Sequence, residues 1–562
     1  MLRLIIKDYL QSLKERNELD YIFPILLDQM GYQIVKTANS SQGQPEYGKD
    51  IVAIGKYNKK KTLYIFQLKA GDAKDINKST MSGKNGIRES MLQAKEVDFK
   101  DSSKSELNKL PRRYVLVHNG EVNQNDRLTF ESFITKHFPD NDFERWGIED
   151  LTDYFSKYLL NEYVLTNPEH VNLLKKTLAF IDTPENDFFH FKKLIVSILD
   201  GEKSYKKKQF IKMISTLSII SQLVYQYSKE ADNLIPAREC LTFVLLQTWG
   251  WILEKKVEKQ KGVIIHYQNL QGIHFIMMEN YLAKIIPVAL ERDGLFSEEG
   301  SQFEEIGYPL RSLNFLGYYV YHLYTYKYLS DIGVKVGNAE FKNLLSNFAN
   351  TLKKVIENNS GCKRPLLDNH SIPILLAIKY FKMLDMDKEI QDYISSILNN
   401  ISLTKASHNR LPELYNNIDS LIEFVARNDR PMNYTDKSSY LLLILFEQLV
   451  QLGDKSEEIF NNSWEFLTKD IHLLTYFPPE DMLEYEHILF QKELYEEGSS
   501  QVYNKNKNDD ISEFEHIKSK LQNYKKSKIK FRTDKKGLRH LRYLAHLYYK
   551  TPLFPSDWRD GK

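Results

Sequence analysis

The chain has 562 residues, of which 42% are hydrophobic and 12% aromatic, so it can pack an ordered interior and is too long for one core. Its 77 basic and 75 acidic residues leave a net charge of +2, which argues against a protein that coats nucleic acid along its whole surface. Two cysteines, Cys240 and Cys362, cannot build a disulfide framework or a zinc site, and they predict buried thiols in a reducing cytoplasm.

Neither a secretory leader nor a membrane span is expected. Charged residues interrupt the apolar start of the chain within residues 1–7, which is too early for the apolar region of a signal peptide. The longest apolar stretch found, residues 440–446, is far shorter than the roughly 18 residues that a membrane span needs. We therefore predict a cytoplasmic protein that has no membrane partner.

The first predicted element is a helix that ends at Gly31, a typical C-terminal breaker. Glu18 and Asp20 flank its apolar stripe on opposite edges, so only one of these acids is expected to face the following strands. Pro24 lies inside the pattern and should kink the helix or shift its start. The stripe recurs at helical spacing and consists of Leu19, Ile22, Phe23, Leu26, Leu27 and Met30.

Two short apolar runs follow, residues 50–54 and 62–68, and a basic turn between them predicts a β-hairpin. The hairpin would bring Asp50 to Gln67 and Lys69, since residues 67 and 69 share one face of a strand. A carboxylate, an amide oxygen and the intervening Leu68 carbonyl are hard oxygen ligands that suit Mg²⁺. Lys69 would then orient or deprotonate a water and offset charge on a phosphate.

One aspartate and one neutral glutamine hold a divalent ion weakly, so a further acid is expected from the preceding helix. Both Glu18 and Asp20 are candidates at this point, and Asp20 is included among the predicted metal ligands. The choice between them stays open.

These landmarks resemble the Mrr-type branch of the PD-(D/E)xK restriction-endonuclease superfamily over residues 1–160. The resemblance implies a restriction-endonuclease-like α/β domain, with a central mixed sheet flanked by helices, and Mg²⁺-dependent cleavage of DNA in which Mn²⁺ can substitute. The family's spacing between helix acid and Gly-Tyr selects Asp20, whereas residue type favours Glu18. Glu46 precedes Gly48 where the family often has an extra Asp-Gly, which makes it a candidate substitute ligand and leaves the number of metal ions open. The matching landmarks are Gly31-Tyr32, Gly48, Asp50-Ile51, Gln67-x-Lys69 with the surrounding residues 66–72, residues 114–120, and residues 146–151.

Beyond the nuclease-like domain, predicted for residues 1–165, helical stripes dominate. We predict a helical domain over residues 170–495, with a sensor, regulatory or assembly role, and a basic helical segment over residues 510–562. Residues 262–266 and 273–276 are compatible with a short strand pair in which His266 and His274 would face each other. No family is recognised in this region.

Positive charge is concentrated near the end of the chain, where residues 516–550 contain twelve lysines and arginines and one acid, Asp534. Such clusters contact phosphates in a salt-dependent and sequence-independent way. The predicted nucleic-acid-binding residues are Lys49, Lys525, Lys526, Lys528, Lys530 and Arg532.

Together these features predict a metal-dependent endodeoxyribonuclease that serves as the effector of a bacterial restriction or anti-phage defence system and is regulated by its helical region. DNA is the expected substrate, RNA is not excluded by the motif, and a homo-oligomer or a defence-system protein is the expected partner. The alternative is a non-catalytic scaffold that binds nucleic acid through a degenerate nuclease-like domain and binds proteins through its helices.

Overall fold

The computed structural model of the chain describes residues 2–37, 47–82, 86–99, 105–159, 165–183, 186–201, 204–331, 338–494, 498–506, 510–524 and 530–559. The chain forms two compact units, residues 1–244 with 261–273 and residues 245–260 with 274–562. The division into residues 1–165, 170–495 and 510–562 stays a prediction, although helices that follow residue 165 belong to the first unit.

The first unit contains a five-stranded mixed sheet with the strand order β1-β2-β3-β4-β5. Strands β1, β2 and β3 pair in antiparallel fashion, whereas β4 and β5 continue the sheet in parallel with β3. The predicted hairpin and the predicted mixed sheet are therefore both present. The strands are β1 (Gln33–Lys36), β2 (Ile51–Tyr57), β3 (Lys60–Lys69), β4 (Arg112–His118) and β5 (Phe143–Trp146).

Helices flank this sheet, and α9 packs against α1 within the same unit. A five-residue π-helical turn, Glu15–Leu19, lies between α1 and α2. The helices of the first unit are α1 (Leu2–Ser12), α2 (Asp20–Gln29), α3 (Lys78–Ser82), α4 (Ile87–Glu96), α5 (Arg127–His137), α6 (Ile148–Tyr158), α7 (Pro168–Ala179), α8 (Phe189–Asp200) and α9 (Lys207–Glu230). Two further helices, α10 (Ile235–Glu254) and α11 (Val263–Ala289), contribute residues to both units.

Both faces of the sheet are covered by core. Phe66 on one face contacts Phe23 of α2 and Trp146 of β5, each with ring centroids 5.4 Å apart. Ile65 on the opposite face joins a buried cluster with Met91 of α4 and Phe133 of α5. From Leu63 to Phe66 β3 is apolar on both faces, and the polar side chains of Gln67 and Lys69 follow at its C-terminal end.

The helix that precedes the sheet ends as predicted, since Gly31 has a φ of +85° just after α2. Pro24 lies inside α2 and supplies no amide hydrogen to that helix, and the chain enters α2 through the wider π-helical turn rather than through a later start.

The second unit is mostly helical. Helix α12 packs against α14 and α21, and α17 packs against α18 and β7. Its helices are α12 (Glu304–Asp331), α13 (Asn338–Asn358), α14 (Ser371–Met383), α15 (Asp387–His408), α16 (Ile418–Arg427), α17 (Tyr440–Leu452), α18 (Glu457–Thr468), α19 (Glu513–Gln522), α20 (Arg532–Lys535), α21 (Arg539–Tyr549) and α22 (Ser556–Arg559).

One expectation about this region is wrong. The suggested strand pair at residues 262–266 and 273–276 is instead part of α11, so His266 and His274 lie along one helix rather than across a hairpin. The second unit also contains a small sheet, formed by β6 (Ser438–Ser439), β7 (His472–Phe477) and β8 (Ser499–Val502), with β6 parallel and β8 antiparallel to β7.

Among the helices in the described parts of the chain, none combines the length and the apolar character needed to cross a membrane.

Candidate functional site

The register of the hairpin joins Asp50 to β3. The Asp50 amide donates to the Phe66 carbonyl over 3.1 Å, which sets the aspartate beside Gln67 at the mouth of the strand pair. Asp50 Oδ2 then accepts hydrogen bonds from Gln67 Nε2 at 2.7 Å and from the Leu68 amide at 2.6 Å. Both side chains are buried. Residues seventeen positions apart in the sequence thus form one polar cluster, as the spacing predicts.

Asp50 also determines how the Gln67 amide is turned. With Nε2 donating to a carboxylate, the amide oxygen Oε1 must point away from Asp50, and this buried oxygen has no hydrogen-bond partner among the described residues. An unpartnered buried oxygen is unusual in a folded protein. An amide oxygen is a ligand that hard cations such as Mg²⁺ bind. The unpartnered Gln67 oxygen is therefore the observation that best fits the predicted metal site.

Lys69 lies two residues further along the same strand, and the structure pairs it with an acid that the sequence analysis did not consider. Its Nζ is 3.8 Å from Glu15 Oε2, an ion-pair distance that is too long for a hydrogen bond. Burial raises the pKa of Glu15, while the charge of Lys69 and the Ala70 amide act in the opposite direction. Glu15 belongs to the π-helical turn, and no periodic pattern in the sequence marks that turn.

The two predicted helix acids have different surroundings. Glu18 Oε2 accepts from the Lys14 amide at 2.7 Å, and its Oε1 pairs with Lys212 of α9. Asp20 is buried at the first residue of α2, and its negative charge contributes to the raised pKa of Glu15. Asp20 therefore lies within electrostatic reach of the Glu15–Lys69 pair. Glu46, the proposed substitute ligand, lies outside the described residues.

The residues fit Mg²⁺ in part. This ion takes one or two carboxylates and keeps several waters, a set that Asp50, the Gln67 amide oxygen and one helix acid could supply. Within the described ranges, no three His, Cys, Asp or Glu side chains are grouped closely enough to hold a metal ion. A site here would thus depend on the glutamine oxygen, on the Leu68 carbonyl and on water rather than on a full set of carboxylates.

Lys49, predicted to contact nucleic acid, is buried. Its Nζ donates to the carbonyls of Tyr47 and Gln93 at 3.3 and 3.4 Å, and burial lowers its pKa to about 8. Gly48 beside it has a φ of +70°, and a Cβ at this position would lie 1.9 Å from the Ser90 carbonyl oxygen of α4. The segment that carries Asp50 is therefore packed tightly on α4.

The basic C-terminal stretch is described only in part. Lys525, Lys526 and Lys528 lie outside the described residues, and Lys530 is exposed. Arg532 donates to the Leu253 carbonyl over 2.9 Å and pairs with Glu258 and Glu486 at 3.6 and 3.7 Å. This arginine ties α20 to its neighbours within the second unit, and phosphate binding by Arg532 stays a prediction.

Two further buried polar residues, His118 and Asn119, lie at the C-terminal end of β4, where His118 pairs with Lys69 of β3. In the sequence they belong to the landmark at residues 114–120 and carry no predicted role of their own. His118 Nδ1 lies 3.2 Å from the Lys74 carbonyl, and burial lowers the pKa of His118 to about 4. Asn119 Nδ2 donates to the carbonyls of Leu10 and Leu13. These bonds fix the end of α1 against the strand end, close to where the turn that carries Glu15 begins.

Comparison of the chain with protein-family models, with curated proteins and with solved structures finds no match in any of the three.

Proposed function

We propose that the first unit is a metal-dependent nuclease of the PD-(D/E)xK type that hydrolyses phosphodiester bonds, with DNA as its substrate. The proposal rests on one observation above all. A buried aspartate at the mouth of a hairpin is held by the amide group of Gln67 and by the Leu68 amide, and within the described ranges the glutamine oxygen has no partner. The antiparallel hairpin followed by parallel strands supports the proposal, because it is the mixed sheet that the resemblance implies.

In this proposal Asp50, Gln67 Oε1 and the Leu68 carbonyl hold Mg²⁺ or Mn²⁺, together with Asp20 or Glu15. When bound, the cation would supply Lewis acidity toward a phosphate oxygen. Asp50 is prepared for this role, because its two hydrogen bonds from β3 hold one carboxylate oxygen in position. Gln67 is oriented by the same contact.

Lys69 would act on the water and on the phosphate. Its ammonium group is only partly exposed, and its distance of 3.8 Å from Glu15 leaves it without a tight hydrogen bond to that acid. It can therefore turn toward an incoming phosphate and offset the charge that develops there. Glu15 would keep the Lys69 side chain directed toward the mouth of the hairpin.

The biological setting in this proposal is bacterial restriction or anti-phage defence, in which the helical second unit regulates the nuclease or assembles it with a partner. A compact nuclease needs such control because unregulated cleavage would damage its host. This part of the proposal is an analogy with fusions of nucleases to helical regions.

Cleavage assays on the full chain test the proposal. Supercoiled DNA, linear DNA and RNA are incubated with the protein in Mg²⁺, in Mn²⁺ or in EDTA. Asp50→Ala and Lys69→Ala should each lower the rate by about 100-fold or more, because each removes a group that acts on the reacting phosphate or its metal. Asp140→Ala and Lys136→Ala are matched controls at exposed positions and should cut at the unchanged rate.

A specific observation favours the alternative, a non-catalytic module that binds nucleic acid. Lys69 is paired with Glu15, and Glu18 with Lys212, so two candidate acids already have cationic partners. If the wild-type chain and all four variants show the same background cleavage while still binding labelled DNA, the nuclease proposal is wrong and the binding module is favoured.

A further inference from the structure

The second unit contains a cavity of about 490 Å³ between α12, α14 and α21. Small-molecule sites commonly have volumes of roughly 300–1,000 Å³, so this one is large enough for a small organic ligand and larger than a single ion requires. None of the predicted nuclease residues lines it.

The lining carries positive charge. The lining contains four basic residues, Lys327, Lys379, Lys382 and Arg539. Among the described lining residues, Asp534 is the single acidic one. Asp534 Oδ2 already accepts hydrogen bonds from two arginines, at 3.0 Å from Arg539 and 3.1 Å from Arg542. Its negative charge is thus offset within the protein, and the lysines give the cavity a surplus of positive charge that favours an anionic ligand.

The contact that holds Lys379 supports the same conclusion. Its ammonium group donates to the main-chain carbonyl of Asp557, and the Asp557 carboxylate, which also attracts Lys379, is already bound by Arg542 through two 2.7 Å hydrogen bonds. Burial lowers the pKa of Lys379 to about 8, and an anion bound beside it would favour the charged form.

Aromatic rings and one unpartnered amide complete the lining. Tyr324 and Tyr543 have ring centroids 5.2 Å apart, and the Tyr328 and His540 rings are 4.5 Å apart. Such surfaces can stack with a planar ring. Gln448 is only 2% exposed, and its Nε2 has no hydrogen-bond partner among the described residues. A buried hydrogen-bond donor normally has an acceptor. An oxygen or a ring nitrogen of a bound ligand would supply the acceptor for the Gln448 amide.

From the cavity, the surplus of positive charge, the rings and the unpartnered amide, we propose that the second unit binds a free nucleotide. The lysines contact its phosphates, the tyrosine rings contact the base, and Gln448 donates to an acceptor on the ligand. This site is separate from the proposed nuclease site, and the inference does not depend on nuclease activity.

Isothermal titration calorimetry on the full chain tests the inference. The probes are the four ribonucleoside triphosphates, their monophosphates and 3′,5′-cyclic AMP, with pyrophosphate and adenosine as the separate halves of a nucleotide. At least one nucleotide should bind at least about tenfold more tightly than either half, because charge and ring recognition act together. The Lys327→Gln/Lys382→Gln double variant should weaken that binding by at least about tenfold. Lys388→Gln, at an exposed position on α15, is the control and should leave it unchanged.

Three results would overturn the inference. One is that no probe nucleotide binds with a Kd below about 1 mM. Another is that pyrophosphate binds as tightly as the best nucleotide, which would show an anion site without base recognition. The third is equal nucleotide affinity in the double variant and the wild type. The melting temperature of each variant without ligand checks folding. If the double variant does not fold, Gln448→Leu replaces it, and an unchanged Kd in that variant refutes the assigned contact.

Discussion

Replacing Gly48 with alanine should loosen the segment that carries Asp50. Gly48 has a φ of +70°, a left-handed conformation that costs a residue with a Cβ about 1–2 kcal/mol. The new Cβ would also lie 1.9 Å from the Ser90 carbonyl oxygen and 2.8 Å from the Ser90 carbonyl carbon. Both are backbone atoms of α4, so they cannot move aside as the end of a flexible side chain could.

Relief of that contact requires the segment or α4 to shift by more than about 1 Å, a distortion that typically costs ~1–3 kcal/mol. Gly31→Ala separates the two effects. Gly31 also has a positive φ, +85°, but apart from its two neighbours in the chain no described residue has an atom within 4 Å of the position its Cβ would take. Alanine at residue 31 should therefore cost only the free energy of the left-handed backbone conformation, without a steric contribution. The local free energies of opening in the two variants should differ by ~2 kcal/mol.

Hydrogen–deuterium exchange on the full chain, read out by mass spectrometry, measures this difference locally. Peptides that cover residues 47–57 and 86–97 report the Asp50 amide, which donates to Phe66, and the α4 amides around Ser90. A difference of ~2 kcal/mol corresponds to about 30-fold faster exchange in these peptides for Gly48→Ala than for Gly31→Ala. Equal exchange in the two variants would refute the steric reasoning.

Three further predictions concern pH, a buried ion pair and the basic stretch. Burial holds the pKa of His118 near 4, below its ordinary value of 6.5. Between pH 4 and pH 6.5 the unfolded chain therefore binds a proton that the folded chain does not, and the free energy of unfolding falls by ~1.4 kcal/mol for each unit by which the pH is lowered. His118→Gln should remove that part of the decline in melting temperature with pH, and an unchanged profile would contradict the assignment. Arg542→Met should lower the free energy of unfolding by ~3–5 kcal/mol, because it leaves Asp557 buried without the arginine that binds it through two 2.7 Å hydrogen bonds; a loss under ~1 kcal/mol in calorimetry would argue against this. Neutralising the basic stretch should weaken DNA binding and flatten its salt dependence in fluorescence anisotropy, and an unaltered salt slope would remove this stretch from the interface; the residues changed to glutamine are Lys525, Lys526, Lys528 and Lys530.

The hairpin could be predicted because its signals are local. Apolar residues run through both strands, and the turn contains Asn58 and Lys59, both with positive φ as a tight two-residue hairpin turn requires. Once the turn is placed, the register follows, and with it the contact between Asp50 and Gln67. The observed strands extend two or three residues further into the turn than the apolar runs, because polar lysines continue the pairing there.

The errors occur where local patterns are ambiguous. The run Val263-Ile264-Ile265 has the β-branched residues of a strand, yet the buried residues of α11 recur three or four positions apart, as Val263, Tyr267 and Leu270 show. Two strands of the small second sheet gave no signal, since β6 has two residues and β8 is mostly polar and exposed on both faces. Such strands form because β7 offers backbone partners, which the sequence of the strands themselves does not reveal.

The choice of helix acid shows the same limit at the candidate site. Spacing favoured Asp20 and residue type favoured Glu18, but neither criterion could include Lys212, which is 194 positions from Glu18 and pairs with it through the packing of α9 on α1. That contact occupies Glu18, while the π-helical turn directs Glu15 toward Lys69. Among the described acids near Lys69, Asp20 and Glu15 are therefore the candidates to complete the proposed metal site, and the role of Glu46 stays a prediction. Because burial and the neighbouring charge of Asp20 both raise the pKa of Glu15, a cation bound between the two acids would relieve the same repulsion that their proximity creates.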